Sequence, residues 1–127
     1  MCGFIITKRD HTKVNSMNAI NEMAYRGLRT KYRGYKPWKE YDLLHTALPM
    51  IDPDPDVAIQ PIQYDDEPPS LFVGEIFNHK DFGDYPSDAH MIHQKYREEL
   101  SHEFFHKMDG FWSYVTFFND APIAYTD

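Results

Sequence analysis

One stretch, residues 111–126, narrows the fold more than any other. Residues 111–118 are apolar and aromatic, Asn119-Asp120 are residue types that tolerate the left-handed backbone of a two-residue turn, and residues 122–126 form a second short run. This predicts a β-hairpin, and a hairpin is stable only when further strands or a helix cover it. Upstream, residues 3–7 and 70–77 are short β-branched or aromatic runs bounded by turn formers, so both are predicted strands, as is 41–48. Residues 57–62 are a possible further strand. Val14, Met17, Ile20 and Met23 recur at helical spacing, which predicts a helix over 14–25. Ser87-Asp88 opens a longer apolar pattern through Met91, Ile92, Tyr96, Leu100, Phe104 and Phe105, which predicts a helix over 88–107 stopped by Asp109-Gly110. Residues 26–40 hold Gly27, Gly34 and Pro37 and read as a long loop. The order β, α, several β, α, hairpin implies a layered α+β fold.

Composition bounds the rest. The 127 residues include nine Phe, nine Tyr and two Trp, too many aromatics for a disordered chain and enough for one domain spanning 1–127. A single cysteine excludes a disulfide framework. No apolar run is long enough to span a bilayer, and no basic-then-apolar leader opens the sequence, so a cytoplasmic protein is expected. The net charge of -7 weighs against bulk nucleic-acid binding. It is unevenly spread: residues 1–39 hold nine Lys/Arg against two acids, and residues 52–88 hold ten acids against one Lys.

That cysteine is residue 2, followed by Gly3. Removal of Met1 leaves Cys2 with its own α-amine, whose pKa of ~7.7–8.0 keeps a sizeable neutral fraction at pH 7. The neutral amine takes the thiol proton, and the thiolate is the nucleophile. One residue thereby supplies both nucleophile and base.

Met-Cys2-Gly-Phe is followed in order by Tyr25-Arg26-Gly27, His45-Thr-Ala-Leu48 with Asp52, Gln60-Pro61, Gly74-Glu75-Ile76-Phe77-Asn78-His79, Ser87-Asp88, Asp109-Gly110-Phe111 and Tyr125-Thr126-Asp127. This series resembles the class II glutamine amidotransferase domain, closest to the glutaminase half of asparagine synthetases. The resemblance implies a four-layer αββα Ntn-hydrolase sandwich, shortened at the C-terminus because the family's closing strand would follow Asp127. It implies that Cys2 attacks the side-chain amide of glutamine, or of a related small amide. Ammonia leaves as a γ-glutamyl thioester forms, water then hydrolyses the thioester, and the ammonia passes to a separate synthetase chain. Gly74 falls where the family offers a backbone N–H to the oxyanion, Glu75 where a carboxylate helps hold the substrate, and Asp88 where the α-ammonium binds. No cofactor and no metal are implied.

Two positions depart from the family pattern. Val73 stands where the family has an Asn that donates to the oxyanion, a loss typically of ~10²–10³ in rate. Ala47 stands where the family has an Arg for the substrate carboxylate; Arg26, Arg29 and Arg33 are the candidates to replace it. These departures leave open a catalytically impaired binding or regulatory module. A third reading comes from His102-Glu103-Phe-Phe-His106, an H-E-x-x-H pattern that on a helix puts two imidazoles on one face for zinc, as in a zinc hydrolase. Asp88, His90 and His93 are a further metal possibility, with an N-capping role as the plainer one. The basic, aromatic 26–39 segment suits substrate gating, docking on an acidic partner, or phosphate contact.

Overall fold

The structure, a computed structural model, describes residues 3–9, 32–47, 60–99 and 102–127. The described residues form two three-stranded antiparallel sheets and one α-helix. The first sheet runs in the order β1 (Gly3–Lys8), β3 (Tyr41–Ala47), β2 (Tyr32–Trp38). The second runs β4 (Leu71–Ile76), β5 (Gly110–Phe118), β6 (Ala121–Thr126). The helix α1 spans Asp88–Glu98. None of the described helices is long and apolar enough to cross a membrane.

Alternation along the strands sorts side chains into two cores. Leu71 of β4 and Phe117 of β5 meet Leu43 of β3, with Phe4 and Ile6 of β1 packed beside them, so the two sheets lie face to face. Phe72, Ile76, Trp112 and Tyr114 point the other way and pack on Ala89, Met91 and Ile92 of α1. Each large apolar side chain buried in these cores contributes roughly 1.5–3 kcal/mol. First sheet, second sheet and α1 therefore stack as three layers.

The expected hairpin forms as β5 and β6, with Asn119 and Asp120 both at positive φ (50° and 62°). The helix start is also as expected: Ser87 is the N-cap and its Oγ accepts from the His90 N–H at 3.2 Å. The expected helix over 14–25 lies outside the described residues, as do residues 57–59 of the possible strand. Among the described residues of that stretch, 60–62, Ile62 pairs, in a single bridge to Ser70.

Two expectations are corrected. Residues 32–38, read as loop, form β2 and pair with β3 through a Lys39-Glu40 turn. β2 is the sheet's edge strand, where Pro37's missing N–H breaks no ladder bond. Gly34 is there for a close approach, since a Cβ on it would lie 1.5 Å from the Gln60 carbonyl oxygen. The helix expected over 88–107 ends at Glu98; His102 is left-handed (φ 53°, ψ 19°), and Glu103–Lys107 is a short 3-10 helix. The break lets His102 stack on Tyr96 at 4.4 Å while Phe104 enters the core. It also lays Phe105 against Trp112 (5.4 Å) and Tyr125 (4.6 Å).

Candidate active site at the outer edge of β4

Among the described residues β4 is an edge strand, so alternate backbone groups face β5 and away from it. The Phe77 N–H donates to the Asp109 carbonyl at 2.7 Å, which fixes the phase: residues 71, 73, 75 and 77 bond toward β5, and 72, 74 and 76 face outward. Two of the three outward amides are taken by side chains. The Phe72 N–H donates to Gln60 Oε1 at 2.7 Å, and Gln60 Nε2 donates to the Phe72 carbonyl at 3.1 Å. The Ile76 N–H donates to Asp88 Oδ2 at 2.9 Å. Between them, the Gly74 N–H is taken by no side chain among the described residues.

Glycine is required at 74. Its φ is 126°, and a Cβ there would lie 2.1 Å from the Phe111 carbonyl oxygen. Gly110 makes the reciprocal approach, with its Cβ position 2.1 Å from the Glu75 carbonyl oxygen. The rest of the Gly74–His79 run anchors the strand end. Asn78 Nδ2 donates to the Lys107 carbonyl and its Oδ1 accepts from the Asp109 N–H, both at 2.8 Å. His79 Nδ1 lies 3.0 Å from the Ile76 carbonyl oxygen, which only accepts, so the ring proton sits on Nδ1.

Asp88, the first residue of α1, is partly exposed, and its second oxygen lies 3.9 Å from His79 Nδ1. It borders a hollow of about 220 Å³ with His79, Tyr85, Ser87 and Met91. Ser87 Oγ is 2.6 Å from His90 Nδ1, and burial holds His90 below the usual histidine pKa.

The structure thus brings Gly74 and Asp88 together along one edge. Glu75 is exposed on the sheet face that carries Leu71 toward the first sheet, directly opposite Phe111. The Val73 side chain shares that face and has no polar hydrogen to donate. Cys2 and Arg26 lie outside the described residues; Gly3, the first one described, pairs with Thr46 at the start of β1. Ala47 pairs with Tyr32.

The metal readings lose their geometric premise. Four residues apart on a 3-10 helix is about a third of a turn off register, and His102 precedes that helix in a left-handed conformation, so His102 and His106 share no helical face. His93 is buried with Nδ1 2.6 Å from Ser70 Oγ, and His90 is bonded to Ser87, so neither joins Asp88. Among the described residues no group of three His, Cys, Asp or Glu is arranged to hold a metal ion.

Sequence reasoning missed the role of Gln60, although Gln60-Pro61 is visible in the sequence. It also missed two buried imidazoles. His45 of β3 is 3% exposed with Nδ1 unpartnered among the described residues, and His93 is 1% exposed with Nε2 unpartnered. Burial pushes both down to about 4. The basic segment is partly occupied internally: the Tyr35 hydroxyl donates to Asp42 at 2.8 Å, and Lys39 Nζ lies 5.4 Å from the Trp38 ring.

No family model, no curated protein and no solved structure matches the chain.

Proposed function

We propose that the chain is a glutaminase domain of the class II amidotransferase type, with Cys2 as nucleophile and the outer edge of β4 as the substrate-binding rail. The row of edge amides carries this reading. Gly74 and Ile76 are two residues apart, so their N–H groups are about 7 Å apart along the strand. Gly74 offers an open donor, and Asp88 brings a carboxylate to Ile76. The amide carbon and α-nitrogen of glutamine are four bonds apart, about 5 Å when extended. With hydrogen bonds at both ends, one glutamine spans the two points.

In this mechanism the Cys2 α-amine takes the thiol proton and the thiolate attacks the amide carbon. The Gly74 N–H donates to the developing oxyanion. Collapse of the tetrahedral adduct breaks the C–N bond, and the amine returns its proton to the departing ammonia. A γ-glutamyl thioester remains, and water attacks it to give glutamate and the free thiol. Asp88 Oδ1 holds the substrate ammonium while Oδ2 keeps Ile76, and Glu75 and Arg26 complete the pocket.

The four-layer αββα sandwich belongs to the same proposal. Leu44 is fully buried and Asp42 nearly so, both on the first-sheet face that points away from the second sheet. Burial on that face supports a further layer over it. β1, which leads directly from Cys2, packs against β4.

Val73 favours a second reading, a binding module of the same fold with little turnover, because one oxyanion donor is missing. Ammonia release from glutamine, wild type against Cys2→Ala, decides between them. Release that depends on Cys2, together with a mass showing Met1 removed, supports the enzyme. A chain that retains Met1, or that releases no ammonia with its synthetase partner present, is not a glutaminase.

A further inference from the structure

We infer that Gln60 is a positioning residue that sets the direction of the Gly74 N–H, and that Gly34 of the other sheet holds Gln60 in place. The inference rests on the amidotransferase reading for its kinetic consequence and on geometry alone for the rest. Gln60 is 8% exposed and its side-chain amide meets both backbone groups of Phe72, as a neighbouring strand would. Its own carbonyl sits where the Gly34 side chain would be, 1.5 Å from an ideal Cβ. A short chain of contacts therefore runs from β2 through Gln60 to Phe72, two residues before Gly74 on the same edge.

The far side of Gly74 is held just as firmly. Asp88 takes the Ile76 N–H and His79 the Ile76 carbonyl. With Phe72 and Ile76 pinned, the peptide between them has little freedom to tilt. A donor serves an oxyanion only when it is already aimed, because alignment at the moment of reaction must not require reorganisation. Edge strands with unoccupied amides are otherwise loose. Gln60 supplies on one side the rigidity that Asp88 and His79 supply on the other, without touching the substrate.

The test uses Gln60→Glu, which keeps the shape and the Oε1 acceptor but sets an oxygen against the Phe72 carbonyl. Gly34→Ala must push the Gln60 backbone away. In ¹⁵N-labelled protein, both variants are expected to shift the Gly74 amide resonance and to speed hydrogen exchange of the bonded Phe72 amide at least tenfold, leaving Gly83 unchanged. Because they act on one contact, the double variant should perturb Gly74 no more than the stronger single one. In ammonia release, Gln60→Glu should lower kcat about tenfold with KM within twofold, as expected when an interaction made only in the transition state is lost. A folded Gln60→Glu protein whose Gly74 amide matches wild type overturns the inference, whatever its activity. If wild type releases no ammonia yet Gly74 responds to both variants, the proposed function fails and the positioning role stands.

Discussion

The two outer edges of the second sheet solve one problem in opposite ways. Both present unpaired backbone groups, which invite another strand. At β6, the bonded pair of Trp112 with Asp127 fixes the phase: the Asp127 N–H donates to the Trp112 carbonyl, and the Trp112 N–H to Asp127 Oδ1. Pro122, Ala124 and Thr126 therefore face outward, and Pro122 has no N–H to offer. That edge is blunted by deleting a donor. At β4 the donors are kept and two are covered by side chains, Gln60 and Asp88. Deletion takes one donor out of the β6 edge, whereas covering can leave a chosen amide open in a rigid setting.

The strongest way to break this contrast is Gly74→Ala. The residue is at φ 126° and its Cβ would strike backbone, so a loss of about 3 kcal/mol or more is expected in urea unfolding. Gly83→Ala is the control: φ is also positive (127°), but its Cβ meets only the movable Tyr85 ring at 3.0 Å, so the loss should be smaller.

Acid sharpens the contrast next. His45 and His93 have folded-state pKa values lowered to about 4 by burial. The unfolded chain, near 6.5, binds protons first, so stability is full above about pH 6.5 and declines as pH falls toward 4. At pH 5 each imidazole should cost on the order of 2 kcal/mol. Both lie toward β4: His93 bonds to Ser70, just before the strand, and His45 pairs with Gly34, which abuts Gln60. Hydrogen exchange at pH 5 should then release β4 amides before β6 amides; the reverse order would refute this.

Pro122→Ala is the mildest. Stability should change by less than about 1 kcal/mol. The restored N–H should raise concentration-dependent association in light scattering, which an edge already open at Ala124 and Thr126 without consequence would not show.

Some of this could be read from the chain. Asn119-Asp120 marked its hairpin because the turn constraint is local, and Ser87 marked the start of α1 for the same reason. β2 could not be read, because Gly34 and Pro37 carry loop signals and their strand setting depends on lying at a sheet edge over Gln60. The end of α1 was hidden because its break satisfies Phe104 and Phe105, whose partners Trp112 and Tyr125 are remote in sequence. Of the candidate site, Gly74 and Asp88 were legible as positions. That they share one strand edge was not, since it depends on where α1 docks.

Distance along that edge is a property of the backbone. Side-chain substitution at Gln60, His79 or Asp88 can loosen the two points but cannot rescale the interval between them; only an inserted residue would. The strand acts as a ruler, so variation around it tunes how tightly a ligand is held and leaves unchanged the length of ligand that fits.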